Sequence, residues 1–317
     1  MSNWARMLVI FVGLGIVGII GYSGWKMVSP PKQELKWHEI KGATFNVNDE
    51  KIKQVKDQLI ENQEKINLGD VQPFTVLMLG IDTDTLSGRS DTMILATVNP
   101  KKNTISMLSI PRDSRVKICG KNTYEKITHA HAYGTETAIC TVQEAFGVPV
   151  NYYVKVNFKG FQEAVDALGG LDMYVEKDIT FRDRIRHQEF TLKQGQQKLD
   201  GYKALNYARF RKDGEGDYGR MRRQQQVIKA MVNQTKDTRN VATFAKLLGI
   251  LGQNMETNLT KKEMLGLMMH FKEFNGESME NIDMKSYPKY IPPYSFVIIE
   301  DKEMQRVSAE LKQRLAN

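Results

Sequence analysis

The chain has 317 residues, 41% of them hydrophobic, enough for one large domain or two small ones with real cores. That composition excludes disordered and low-complexity classes. A net charge of +8 points to an anionic partner: nucleic acid, phospholipid or a phosphorylated glycan. Five scattered histidines and two cysteines, with no CxxC or HExxH, argue against a zinc site.

Residues 1–6 read as a short tail. Met7–Trp25 carries no charge and is bounded by Arg6 and Lys26. As a helix it spans about 28 Å, close to the roughly 30 Å of a bilayer core. No small-x-small cleavage site follows, so an uncleaved transmembrane anchor is expected rather than a signal peptide. Lys26, Lys32 and Lys36 follow the span while only Arg6 and the amino terminus precede it. By the positive-inside rule these flanks lean toward keeping the following domain inside. Residues 26–70 form a polar stalk or accessory segment. Within it Ile52, Val55, Leu59 and Ile60 recur at helical spacing in Asp49–Ile66, as a stalk helix or a docking helix.

The folded domain is expected over 71–317. Phe74–Asp82 is an apolar run of β formers and reads as a buried central strand. Asp91–Pro100 and Thr104–Pro111 follow as strands joined by a tight turn at 100–103. The pattern then predicts a helix at Thr135–Phe146, a strand at Tyr152–Val156, a helix at Phe158–Leu168 stopped by Gly169-Gly170, and a strand at Leu171–Val175. Helices are predicted at Asp200–Tyr207, Tyr218–Thr235, Val241–Asn254, Lys261–Phe274 and Lys302–Leu315, with a late strand at Tyr294–Ile299. The part over 236–317 is thus expected to be mainly helical. Strands alternating with helices indicate an α/β protein, an α-β-α sandwich around a mixed central sheet. Cys119 and Cys140 either close a disulfide loop in an oxidising compartment or are two separate buried thiols.

The polar residues collect at strand ends. Asp82 ends the first strand, Arg89-Ser90-Asp91-Thr92 opens the second, and Pro111-Arg112-Asp113 ends the third. In an open α/β sheet the ligand crevice lies there. A hairpin-like link would set Asp82 beside Asp91, and two facing carboxylates suit a hard divalent ion. Taken singly, each carboxylate is equally a turn residue or a helix cap. A second cluster runs from Arg209 to Arg223, where five arginines and one lysine fall in a chain otherwise rich in lysine. Arg209 and Arg211 would share one side of an extended segment. Gly214, Gly216 and Gly219 would let the backbone turn. Arg220, Arg223 and Gln224 would share one helix face, with Arg222 turned to the surface. Forked guanidinium groups around a helix amino terminus suit a pyrophosphate. The bland alternative is a solvated basic helix, and a nucleic-acid patch is another. The glycines are not a P-loop, and no GxSxG is present.

Five strings in order, GID (80–82), RSDTMI (89–94), SIPRD (109–113), ARFRKD (208–213) and GDYGRMRRQQ (216–225), resemble the LytR–CpsA–Psr family. The match covers the motif core, residues 74–235. The resemblance implies a membrane-anchored phosphotransferase outside the cytoplasmic membrane of a Gram-positive bacterium. It implies transfer of a glycopolymer, such as wall teichoic acid, from an undecaprenyl-pyrophosphate carrier to a hydroxyl of N-acetylmuramic acid in peptidoglycan, with no nucleic-acid partner. It implies magnesium, or manganese in its place, on Asp82 and Asp91. It also implies pyrophosphate contacts from Arg89, Arg112, Arg209, Arg211 and Arg220, with Asp217 and Gln224 bracing the pocket and an apolar tunnel taking the prenyl chain. Asp82, Asp91, Arg112 and Arg211 carry the catalytic expectation, and Asp91 or Asp113 would take the hydroxyl proton. Lys126-Ile-Thr-His-Ala130 departs from the family's Lys-Ile-Asn-x-Ala at Thr128, which leaves the phosphate role of Lys126 conditional. Two other readings stand beside this one: a prenyl-pyrophosphate phosphatase using water, and an anchored regulator that binds wall polymers without turnover.

Overall fold

The computed structural model describes residues 50–63, 71–81, 86–183, 188–234, 254–260, 263 and 276–316. The expected anchor Met7–Trp25, Asp82 and nearly all of the two helices expected between Val241 and Phe274 lie outside the described residues. Among the described residues no helix is long and apolar enough to cross a membrane.

The described part opens with α1 (Glu50–Glu61), then β1 (Phe74–Ile81), β2 (Ser90–Asn99), β3 (Thr104–Ser109), β4 (Arg115–Lys117) and β5 (Tyr124–Lys126). Next come α2 (Thr128–Ala132), α3 (Thr135–Phe146), β6 (Tyr152–Asn157), α4 (Phe158–Ala167) and β7 (Leu171–Val175). Then follow β8 (Ile179–Asp183), β9 (Gln188–Leu192), β10 (Gly195–Leu199), α5 (Gly201–Arg209) and α6 (Gly216–Gln234). The described part of the remainder holds β11 (Met255–Thr257), β12 (Met279–Ile282), β13 (Tyr287–Ile291), β14 (Tyr294–Ile298) and α7 (Asp301–Leu315).

Six strands form one mixed sheet in the order β11-β6-β1-β2-β3-β12. β1 pairs antiparallel with β2 and parallel with β6, and β12 pairs parallel with β3. The apolar character of β1 and β2 follows from burial on both faces. Val76, Met78 and Ile94 face a layer built on Ala164, Tyr207, Val227 and Met231 of α4, α5 and α6. Leu77, Leu79 and Leu95 face Val55 and Leu59 of α1, Ile139 and Phe146 of α3, and Val307 and Leu311 of α7. The result is the expected α-β-α sandwich around a mixed sheet. α1 is a docking helix: besides burying Val55 and Leu59, its end is held where Asn62 Nδ2 donates to Asn151 O at 3.3 Å.

Side-chain caps set the helices that lead to the sheet's end. Asn157 Oδ1 accepts from Gly160 N at 2.8 Å and starts α4, and Asp200 Oδ1 accepts from Lys203 N at 2.8 Å and starts α5. Cys119 and Cys140 are joined as a disulfide, Cα–Cα 5.8 Å, tying the loop after β4 to α3.

Two expectations change. Arg209 is the last residue of α5, so Arg209 and Arg211 do not share one side of an extended strand; only Phe210 turns the chain to extended backbone. The stretch 236–317, expected to be mainly helical, contains four strands among its described residues. Three of these, β11, β12 and β13, were not expected; at three to five residues they are too short for alternation to register, and they owe their form to sheet edges and to a partner strand. The expected late strand is present as Tyr294–Ile298, paired with Tyr287–Ile291 in a hairpin separate from the main sheet.

Candidate active site

Strand polarity gathers the motifs. The antiparallel pairing of β1 with β2 sets Ile81 opposite Ser90, and that of β2 with β3 sets Ile94 opposite Ser109. The end of β1, the start of β2 and the loop after β3 therefore meet at one end of the sheet. The amino terminus of α6 arrives at the same end. Its amides fasten it there: Gln224 Nε2 donates to Thr92 Oγ1 at 2.8 Å, and Gln225 Nε2 to Ser109 Oγ at 2.9 Å.

Half-buried Asp91 and Arg112 form an ion pair through Asp91 Oδ1 and an Arg112 terminal nitrogen. Arg112 Nε stands 3.8 Å from Asp113 Oδ1, and Lys126 Nζ reaches the same oxygen at 2.8 Å. Across from them Arg220, 5% exposed, pairs with Asp217 at 2.8 Å. Burial holds its guanidinium below the usual arginine value; Asp217 and Asp91 offset this, while Arg112 and Arg211 add repulsion. Arg112, Arg211, Arg220, Asp91 and Asp217 therefore act on one another as one electrostatic group. Nε of Arg112 and Nε of Arg220 are buried and have no hydrogen-bond partner among the described residues. Two orphaned guanidinium donors beside mutually repelling cations describe a receptor for an oxyanion rather than a finished structural network.

The remaining expected ligands divide. Gln224 bridges α6 to β2 through Thr92. Arg209 lies with its guanidinium 4.3 Å from the centre of the Phe158 ring. Arg89 is exposed, just before β2, and Arg211 is exposed in the loop between α5 and α6. Arg223 does not face the pocket with Arg220. It is fully buried, and it donates to Glu176 Oε1 at 2.9 Å, to Phe210 O at 3.0 Å and to Asp213. Arg222 is a surface residue paired with Glu176 and Glu215. Of the glycines, Gly216 takes φ 53° where the loop enters α6, but Gly219 is helical. A Cβ on Gly219 would stand 3.1 Å from an Arg223 terminal nitrogen, so its bareness makes room for that guanidinium.

Two positioning residues were not visible in the sequence. Thr128 Oγ1 donates to Ser90 O at 2.8 Å while its amide donates to Arg112 O at 3.1 Å. His131 Nδ1 lies 2.7 Å from Gly88 O. The short helix α2 thus holds the backbone on both sides of Arg89. Burial pushes the His131 imidazole down to about 4, with the Gly88 bond opposing, so it is neutral at pH 7 and Nδ1 carries the proton. A lone histidine in a five-residue helix has no periodic signature.

An apolar cavity of about 100 Å³ opens beside the cluster, between the sheet and α4, α5 and α6. Met78, Ile94, Phe161, Val227 and Met231 line it, and Thr92, Arg209 and Gln224 supply its few polar walls.

For a hard divalent ion the described donor is Asp91. Its Oδ1 is held by Arg112, and Oδ2 has no donor among the described residues, which suits an oxygen-seeking cation. Glu176, Asp213 and Glu215 also converge, but Lys177, Arg222 and Arg223 already neutralise them. Although burial opposes ionisation of Asp213, hydrogen bonds from Lys177 and Arg223 outweigh it and bring that carboxyl down to about 2.

Known proteins share this fold. The model of the LytR_cpsA_psr family matches residues 36–313. A Bacillus subtilis (strain 168) protein named polyisoprenyl-teichoic acid–peptidoglycan teichoic acid transferase TagU is 31% identical over 311 residues, covering 97% of this chain and 94% of that protein. A protein of the same name from Halalkalibacterium halodurans is 37% identical over 248 residues, covering 77% of this chain and 79% of that protein. The crystal structure of B. subtilis TagV superposes with a TM-score of 0.68 at 32% identity, covering 77% of this chain and 97% of that one. A structure described as TagT bound to LIIa-WTA superposes with a TM-score of 0.65 at 32% identity, covering 80% of this chain and 94% of that one. The family match over residues 36–313, a relative 31% identical across 97% of the chain and the shared sandwich show that the chain belongs to the LytR_cpsA_psr family.

Proposed function

We propose that the protein transfers a phosphorylated glycopolymer, of the wall teichoic acid kind, from an undecaprenyl-pyrophosphate carrier to a muramic acid hydroxyl of peptidoglycan. The observation that carries this is the apolar cavity ending at Arg209, Thr92 and Gln224, next to buried guanidinium donors that have no partner among the described residues. A prenyl pyrophosphate is apolar at one end and doubly anionic at the other, and this pair of surfaces matches it. The relatives' name, polyisoprenyl-teichoic acid–peptidoglycan teichoic acid transferase, supports the same substrates.

In this reading Arg112 and Arg220 grip the pyrophosphate through their unused Nε–H groups, and Arg89, Arg209 and Arg211 close around it. The acceptor hydroxyl oxygen bonds to the polymer-side phosphorus. The bond from that phosphorus to the bridging oxygen breaks, and undecaprenyl phosphate leaves with the bridging oxygen. The arginines carry the charge that grows on the bridging and equatorial oxygens, in a pocket already organised for it. The hydroxyl proton passes to a carboxylate, Asp91 or Asp113. Asp82 and Asp91 would hold magnesium or manganese. Such an ion, when bound, neutralises pyrophosphate oxygens and polarises phosphorus.

Residues 7–25 would anchor the chain as a single span, after a short tail at 1–6 and before a linking segment at 26–70. The domain over 71–317 would then lie outside the cytoplasmic membrane of a Gram-positive bacterium. The Cys119–Cys140 disulfide favours that oxidising side over the lean of the flanking lysines. Purified protein, lipid-linked polymer and peptidoglycan test the chemistry. Arg112→Ala should lower joining about 10²–10³-fold and Asp82→Ala should abolish it, while the protein stays folded. Retained joining would count against the reading, and release of free polymer phosphate would mark hydrolysis instead.

A further inference from the structure

The hairpin of β13 and β14 is bonded to both banks of the pocket. Val297 N donates to Asp113 O at 2.8 Å, and Ser114 forms a parallel bridge with Val297. On the other bank Tyr218, in the first turn of α6 beside Asp217, donates to Ser286 O at 2.8 Å. The hairpin register sets Tyr287 opposite Ile298 and Ile291 opposite Tyr294. Tyr287, Lys289 and Tyr294 therefore share one face. Both tyrosine rings are exposed, Tyr287 at 42% and Tyr294 at 61%, and Tyr294 is propped edge-on against buried Phe296, ring centres 6.4 Å apart. They stand four residues apart along the ribbon, roughly 13 Å. A polar groove of about 520 Å³ opens beside Tyr287, walled by Lys285, Ser286, Lys302, Glu303 and Arg306.

We propose that this face and the adjoining groove seat the glycan chain of the peptidoglycan acceptor. The inference rests on the transferase reading and adds where its second substrate binds. Exposed tyrosine faces stack on the C–H faces of pyranose rings, and the polar groove offers hydrogen-bonding partners to sugar hydroxyls. Lys289 and Lys285 meet the carboxylates that muramic acid and its peptides carry. Two rings at this spacing engage a run of sugars rather than one. The in-line geometry of phosphoryl transfer requires the attacking hydroxyl to approach opposite the leaving group. The leaving prenyl phosphate belongs with the apolar cavity, which is walled by residues of β1, β2, β6 and α4 to α6. No residue of the hairpin or of the Asp113 loop lines that cavity. The hairpin instead extends from the bank carrying Arg112 and Asp113, where an acceptor would arrive.

The test uses the full chain, soluble uncrosslinked peptidoglycan chains and the lipid-linked polymer. The pair Tyr287→Ala with Tyr294→Ala should raise the Kd for the chains and the acceptor KM about tenfold, leaving the donor KM and kcat in place. The pair Tyr287→Phe with Tyr294→Phe keeps the rings and should bind as wild type does. If the alanine pair fails to fold, the leucine pair keeps the bulk without the ring face and should show the same loss. An unchanged acceptor KM in the alanine or leucine pair overturns the proposal. So does wild-type protein that does not bind the chains, or tyrosines needed only for anionic phospholipid vesicles. Wild-type protein that binds the chains through these tyrosines yet joins no polymer supports the platform and overturns the transferase reading.

Discussion

Arg220 and Arg223 lie one turn apart on α6 and are both buried, yet their surroundings are opposite. Arg223 is surrounded by acceptors: Glu176, Asp213 and the Phe210 carbonyl take its donors, and the Phe210 ring lies 5.1 Å from its carbon. Arg220 has Asp217, feels repulsion from Arg112 and Arg211, and keeps a buried Nε with no partner among the described residues. A saturated buried cation fastens the chain, here the loop from Phe210 to Asp213 that carries Arg211. An unsaturated one beside other cations is held in place for a ligand that brings the missing negative charge. The helix thus uses one guanidinium as scaffold and the next as receptor.

The largest test of that division is catalytic. Arg220→Ala or Arg112→Ala should lower polymer transfer about 10²–10³-fold, as loss of one preorganised donor does elsewhere. Arg220→Ala should leave the melting temperature unchanged or raise it, since it removes a repelled charge. A large drop in melting temperature would make Arg220 a scaffold residue as well. Arg223→Ala should do the reverse and unfold the protein more easily. It leaves Glu176 and Asp213 without their buried cation, and breaking such a pair costs about 3–5 kcal/mol. Denaturant titration reads this directly.

His131 extends the comparison to the backbone that carries Arg89. Its folded value lies below the ordinary 6.5, at about 4, so between these only the unfolded chain takes up the proton. Stability should therefore fall as pH drops from about 6.5 to about 4, by on the order of 3 kcal/mol from this group. His131→Asn keeps a donor for Gly88 O and cannot titrate. Its melting curves should lack that part of the pH dependence, and an identical slope would remove His131 from the account.

Filling the cavity gives a smaller, selective effect. Ile228 also lines the cavity, and Ile228→Trp should weaken long-chain prenyl donors about tenfold while sparing short-chain analogues that do not reach it. Equal loss for both would separate the cavity from the lipid. The smallest effect belongs to Asp213, whose folded value of about 2 lies below its ordinary 3.8. Its contribution is present above about pH 4 and disappears as pH falls toward 2. Asp213→Asn should melt lower than wild type at pH 7 and converge with it near pH 2.

Much of this was legible in the linear chain. The apolar runs at Phe74–Ile81 and Thr104–Ser109 announce strands buried on both faces, and Gly147 and Asp200 mark helix ends where they stand. The five strings name the arginines and aspartates, and their order alone carries the family. Short edge strands such as Met279–Ile282 were not legible, because three or four residues take their form from the neighbour they pair with. Arg209 read as extended because its motif is charged and short, whereas the helix capped by Asp200 runs through it.

The sequence by itself determined the residue types at the site, the fold class and the uncharged run at Met7–Trp25. Only the tertiary structure decided which arginine serves which purpose. Helical spacing puts positions 220, 223 and 224 on neighbouring faces but does not say what stands opposite. Glu176 comes from 47 residues away and Asp213 from the loop before α6 to meet Arg223, and Gln224 finds Thr92 on β2. A charge acquires its role from the charges that packing brings beside it, and helical spacing alone does not reveal them.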